Sequence, residues 1–115
     1  MKLLQDDATA QWLTQLGPAF DDFDWDDGNR GKSEKKHGVT DEEIESLMST
    51  EAFVFAGRIE SPRVEWRGLL LGRTPESRLL ALVFTRRGGK MRPISCRAMR
   101  VPERRLYAAS TQTQA

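Results

Sequence analysis

His37 closes the run Lys35-Lys36-His37 and is the only histidine in the chain. Histidine is the one side chain whose ordinary pKa lies near neutrality, so this group can take up or release a proton under physiological conditions. Guanidinium and ammonium groups are concentrated downstream, as Arg67, Arg86, Arg87, Lys90, Arg92, Arg97 and Arg104. Proton transfer beside clustered cations suits a phosphate, because charge builds on its oxygens and must be met. Each residue also admits a plainer role. A Lys-Lys-His run at a helix C-terminus is favoured by the helix dipole alone. Arg97 could pair with Glu103, and Arg67 with Glu60 or Glu65. Trp25 offers a ring on which a base could stack, or simply a lid on a core.

Charge is distributed unevenly around these groups. Residues 1 to 27 carry seven aspartates against Lys2, whereas residues 58 to 115 carry thirteen arginines and lysines against Glu60, Glu65, Glu76 and Glu103. A basic unit of this kind meets a polyanion, RNA first among them, and an acidic segment can shield it in cis or form a second surface. The lone Cys96 excludes an internal disulfide and a cysteine zinc site, and one histidine excludes a histidine cage. No cofactor and no metal are expected. The longest apolar run, Leu79 to Phe84, is too short to span a bilayer, no signal core precedes Asp6, and a soluble cytoplasmic protein is expected.

The elements that must position these residues follow from spacing. Ala10, Leu13 and Leu16 predict a short helix over 8–16, ended by Gly17-Pro18 and lying outside the main unit. Phe20 through Trp25 has an edge-strand pattern, and residues 29–37 read as an exposed helix capped by Gly38. Thr40 and Glu43 form a capping box before Ile44, Leu47 and Met48, which predicts a helix of about ten residues. Four strands are expected over 53–59, 64–73, 78–86 and 91–98, with a hairpin at Arg87-Gly88-Gly89-Lys90. That hairpin places Leu82 opposite Ser95 and Leu80 opposite Arg97. Leu79, Ala81, Val83, Ile94 and Cys96 then face the helices. Arg86, Ser95 and Arg97 share the other face with Leu80, Leu82 and Phe84, while Arg92 leans toward the helices. Pro93, lacking an amide donor, places its strand at an edge. Pro102 opens a last helix over 103–109, and residues 110–115 form a disordered tail. The class is α+β, with a curved antiparallel sheet of four to five strands.

The ordered string resembles BrnT-type toxins of bacterial type II toxin–antitoxin pairs. Its pieces are Phe23-Asp24-Trp25-Asp26, Lys36-His37-Gly38-Val39, Glu42-Glu43, Arg67 with Gly72, and Thr85 with Arg87-Gly88. They continue as Arg92, Ile94-Ser95, Arg97, and Glu103-Arg104 with Tyr107. The resemblance covers residues 20–109 and leaves 1–19 as an N-terminal extension with a short helix. It implies a RelE-like fold, with two helices before the sheet and one after it. It also implies RNA cleavage that inhibits translation, inhibition by a cognate BrnA-like antitoxin, and contact with an operator DNA only through that antitoxin. A homodimer or a toxin–antitoxin hetero-oligomer is the expected assembly, with no membrane partner. Asn29 stands where the family usually has lysine, Ser33 where it has asparagine, and Pro93 where a β-branched residue is common.

Taken with the resemblance, the expected site has His37 as general acid or base, Arg67 and Arg97 clamping the phosphate, and Lys36 positioning it. Trp25, Arg86, Arg92, Ser95, Arg104 and Tyr107 are the expected substrate contacts, Tyr107 packing first. No metal ion is needed in this scheme. Two other readings stay open. One is a non-catalytic module that binds an antitoxin or nucleic acid, favoured by Asn29 and Ser33; the other is a polyanion-binding domain unrelated to toxins.

Overall fold

Thr40 and Glu43 close their capping box as the spacing requires. The Glu43 amide donates to Thr40 Oγ1 at 3.1 Å and the Thr40 amide to Glu43 Oε1 at 3.0 Å. They start the helix Asp41–Ser49 in a computed structural model that describes residues 3–14, 22–49, 53–60 and 65–112. In chain order the elements are β1 (Leu3–Leu4), α1 (Asp7–Thr14), α2 (Lys32–His37), α3 (Asp41–Ser49), β2 (Phe53–Ile59), β3 (Arg67–Arg73), β4 (Leu79–Arg87), β5 (Lys90–Ala98) and α4 (Val101–Gln112). The strands form one antiparallel sheet in the order β1-β2-β3-β4-β5, so this is an α+β fold built on a meander.

The hairpin forms where expected. Gly88 and Gly89 have φ of 60° and 91°, values that glycine adopts without strain, and Arg87 pairs with Lys90. Beyond the turn the expected register is corrected by one residue. Ser95 lies opposite Val83 and Arg97 opposite Ala81, while Phe84 pairs with Pro93, so Ile94 is the extra residue of a β-bulge. Proline cannot donate to the ladder, and a bulge beside it on an edge strand avoids asking it to.

The bulge reverses which side chains share a face. Leu80, Leu82, Phe84, Met91 and Cys96 pack with Ile44, Leu47 and Val39 under α2 and α3. Ala81, Leu69 and Leu71 pack with Met99 and Tyr107 under α4, flanked by Leu79 and Val83. The expectation that Leu79, Ala81 and Val83 face α2 and α3 is therefore inverted. Cys96 keeps its place beneath those helices, and burial pushes its thiol up to about 12.

The N-terminal helix was expected outside the main unit; its described residues lie on the sheet instead. Leu3 and Leu4 pair with Ile59 and Arg58 as a fifth strand, and Trp12 stacks on Phe84 with centroids 5.8 Å apart. The short α2 and α3 leave the Phe55 and Phe84 end of the sheet for α1 to cover, and Trp12 and Leu13 do so. Phe23 makes only an isolated parallel bridge to Met91, and residues 20, 21 and 64 of the expected strands lie outside the described residues. Helix α4 runs to Gln112, beyond the expected 109, and of the tail only residues 113–115 lie outside the described residues.

Gly68 is held where β2, β3 and β4 meet. A methyl group there would lie 2.8 Å from Phe55 Cε2 and 2.9 Å from Phe84 Cζ, inside contact distance of two packed rings. Gly68→Ala is expected to destabilise the fold by about 1–3 kcal/mol. Thermal unfolding reads this directly, and an unchanged midpoint would mean that the rings yield freely.

Candidate nucleic-acid interface

The bulge on β5 places Ile94 and Ser95 together on one wall of a cleft of about 400 Å³. The opposite walls come from α2 through Lys32 and Lys36, and from β3 through Arg67. Lys32 and Lys36 are four residues apart, so the helix carries both on one side.

Two buried side chains tie α2 to the bulged strand. Ser33 Oγ accepts from the Cys96 amide at 2.9 Å. Asn29 Nδ2 donates to the carbonyls of Pro93 and Asp24, each at 3.0 Å, and Asn29 Oδ1 accepts from the Asp26 amide at 2.9 Å. Asn29 and Ser33, two of the three positions read above as departures from the resembled pattern, both satisfy backbone groups here that the bulge and the approach to α2 would otherwise leave unpaired. They hold the wall that presents Lys32 and Lys36.

Part of the positive charge in the cleft is already matched. Arg92, only 9% exposed in its side chain, forks onto Asp26 at 3.0 and 2.9 Å and reaches Asp24 at 3.4 Å. Its hydrogen bond is the main cause holding the Asp26 carboxyl below the usual range, helped by the Gly28 amide, and the same bond raises the guanidinium. Arg87 pairs with Glu65 at 3.4 Å across the mouth. Lys32 and Lys36 are exposed and make no ion pair among the described residues. The net effect is a cleft whose ordered arginine wall is neutralised and whose lysine wall is not.

Of the expected site residues, the structure brings Lys36, Arg67, Arg92 and Ser95 into this cleft. Arg92 lines it opposite Thr85, the pairing the hairpin register gives, because that pair lies on the turn side of the bulge, and through Asp24 and Asp26 it reaches the segment that leads into α2. The others lie elsewhere. His37 is exposed at the end of α2 and does not line the cleft. Arg97 forks onto Glu103 at 2.7 and 2.9 Å, joining β5 to α4. Arg86 sits opposite Met91, and its Nε is buried without a hydrogen-bond partner among the described residues. Trp25 stacks on Phe23 and donates from Nε1 to Glu45 at 2.7 Å. Arg104 is exposed on α4, and Tyr107 is buried in the core beneath it. Lys32 and Glu65 were not expected site residues; the i, i+4 spacing to Lys36 was the available signal for Lys32.

Among the described residues no group of three or more histidine, cysteine or carboxylate side chains is placed to hold a metal ion. No helix there is long and apolar enough to cross a membrane. No curated protein matches the chain. The family described as "Ribonuclease toxin, BrnT, of type II toxin-antitoxin system" matches residues 25–103.

Proposed function

The chain belongs to the BrnT family of type II ribonuclease toxins, and from that premise we propose that the cleft between α2 and the bulged end of β5 holds the RNA phosphodiester that is cut. The convergence of Lys32, Lys36 and Arg67 on one cleft carries this reading. The lysine wall supplies positive charge that no carboxylate of the described residues has taken, and Ser95 adds a hydroxyl donor. Arg92 shapes the wall through Asp24 and Asp26 rather than meeting the substrate as a bare charge.

In the proposed reaction the ribose 2′-oxygen attacks phosphorus and the 5′-oxygen leaves, giving a 2′,3′-cyclic phosphate and a 5′-hydroxyl end. One proton leaves the 2′-hydroxyl and one reaches the 5′-oxygen. Lys36 and Arg67 offset the charge that grows on the non-bridging oxygens. His37, the residue after Lys36 and exposed to solvent, exchanges a proton with RNA laid across the cleft mouth. No metal ion takes part in this scheme. The antiparallel sheet with helices before and after it supports a RelE-like fold. A BrnA-like antitoxin is the proposed inhibitor and the link to operator DNA, and the cytoplasm the proposed compartment.

A second reading is a module that binds RNA or antitoxin without cutting, favoured by His37 standing off the cleft and Arg97 being engaged by Glu103. Purified protein incubated with end-labelled RNA separates the two. Cleavage leaving cyclic phosphate ends, lost in the Lys32→Glu, Lys36→Glu double variant, is the expected result. Binding without cleavage, together with normal bacterial growth on induction, would establish the second reading, and full cleavage by the double variant would remove the cleft from the reaction.

A further inference from the structure

The two large hydrophobic side chains most exposed among the described residues lie on the same helix. Val101 is 57% exposed and Leu106 36%, both on α4. Leu106 and Pro102, four residues apart, form one wall of a groove of about 250 Å³ whose floor is Leu69 of β3 and whose far wall is Leu3 of β1. Arg100 and Glu103 complete its lining. Glu103 is occupied by Arg97 and by the Arg100 amide, so it offers no unmatched charge. Arg100, Arg104 and Arg105 are exposed along the same helix and make no ion pair among the described residues. The groove is thus an aliphatic slot with Arg100 in its lining and Arg105, three residues from Pro102 on the helix, at its rim.

Its chemistry separates it from the cleft. RNA is held by cations, hydrogen-bonding groups and aromatic rings that stack on bases; Leu3, Leu69, Pro102 and Leu106 supply no aromatic ring and no side-chain donor, which leaves the arginines at the edge as the only groups here that suit a phosphate. Aliphatic surface of this kind gains most by leaving water against another protein chain. A second copy in a two-fold dimer would bring Arg100 and Arg105 against their equivalents, like charge against like. An acidic partner segment with aliphatic anchors satisfies both the groove and its rim.

We propose that this groove is the docking site for the antitoxin, which inserts aliphatic side chains between Leu106, Pro102 and Leu3 and sets carboxylates against Arg100 and Arg105. The proposal rests on the family membership, which supplies the antitoxin as partner, and not on the cleavage reaction. It also accounts for inhibition. Arg67 lines the cleft and Leu69 the groove, two residues apart on β3 and so about 7 Å apart on one face of the sheet. On β5, Ser95 lines the cleft while Arg97, two residues on, is held by the groove residue Glu103. A chain anchored in the groove needs to extend by only a few residues to cover the lysine wall. The antitoxin would then exclude RNA without occupying the phosphate site with its strongest anchor.

The test uses the full chain and the product of the neighbouring reading frame that forms a complex with it, each purified separately. Leu106→Asp is expected to weaken the complex about 100-fold by titration calorimetry, since it places a charge in an apolar anchor pocket, and Arg105→Glu about 10-fold. RNA cleavage by the free variants is expected to match wild type, and antitoxin is expected to inhibit them poorly. Pro102→Asp, at an exposed position of the groove wall in the first turn of α4 where an acidic group suits the helix dipole, repeats the test if Leu106→Asp lowers the unfolding midpoint. Wild-type affinity in both Pro102→Asp and Arg105→Glu would overturn the proposal. So would loss of the complex in Lys36→Glu with Leu106→Asp neutral, which places the antitoxin in the cleft, or loss of a self-association of the chain in Leu106→Asp with antitoxin binding unchanged. If the wild-type chain cuts no RNA while the groove variants still release the antitoxin, the docking site stands and the cleavage reading alone fails.

Discussion

Lys36→Ala is expected to slow RNA cleavage by about 10²-fold or more under single-turnover conditions, with a thermal midpoint close to wild type. The side chain is exposed and makes no ion pair among the described residues, so its loss costs the fold little. Its loss is expected to cost the reaction much more, because in the proposed reaction an ammonium sharing the cleft with Arg67 meets charge that develops on the phosphate only as the 2′-oxygen bonds to phosphorus. The same change should also lower the salt dependence of RNA binding by about one unit of slope, as expected for one phosphate contact. Lys36→Arg keeps the charge and should recover most of the binding but less of the rate, since a planar fork does not reproduce the point charge of an ammonium. His37→Ala is expected to give the companion result, a slower rate with binding nearly intact. If Lys36→Ala cuts RNA within about threefold of wild type, the lysine wall is not where the phosphate is held.

The residues that made this site legible were those whose signals are local. The Thr40–Glu43 box, Gly38 ending α2 and the Gly88-Gly89 turn each act within a few residues, and each is found where the spacing placed it. From these, Lys36 is correctly set at the end of a helix and Ser95 on the strand facing it. What was hidden depends on one extra residue. Pairing counted from the hairpin gives a continuous ladder, and nothing in the spelling of Met91 to Ser95 except Pro93 marks the bulge at Ile94. That single residue decides that Ser95 faces the cleft. The packing of Trp12 on Phe84 and Trp66 was likewise out of reach, because residues so far apart in the chain meet only once the sheet has formed. Asn29 and Ser33 could be read only as departures until their partners, Pro93 and Cys96, were in view.

Arg97→Ala is expected to remove about 2–3 kcal/mol of stability and to lower the thermal midpoint by about 10 °C, and this, not a lost phosphate contact, is expected to account for any loss of activity. Arg97 and Glu103 are 18% and 11% exposed in their side chains, bound through two hydrogen bonds. Truncating the arginine leaves a nearly buried carboxylate with only the Arg100 amide for a partner. The figure is set below that for a fully buried pair because water reaches both groups. The pH dependence gives the sign. Hydrogen bonding from Arg97 first, and then the Arg100 amide, holds the Glu103 carboxyl below its ordinary value of 4.5. A carboxyl lowered in the folded state contributes stability that is fully present above that ordinary value and is lost as pH falls through the lowered one. The midpoints of wild type and Arg97→Ala should therefore differ most near neutral pH and converge as the solution is made more acid than about pH 4. Cleavage measured well below the variant's midpoint should stay close to wild type. An unchanged midpoint with cleavage abolished would instead return Arg97 to the phosphate, as its two-residue spacing from Ser95 suggests, and would require the fork to Glu103 to open when RNA binds.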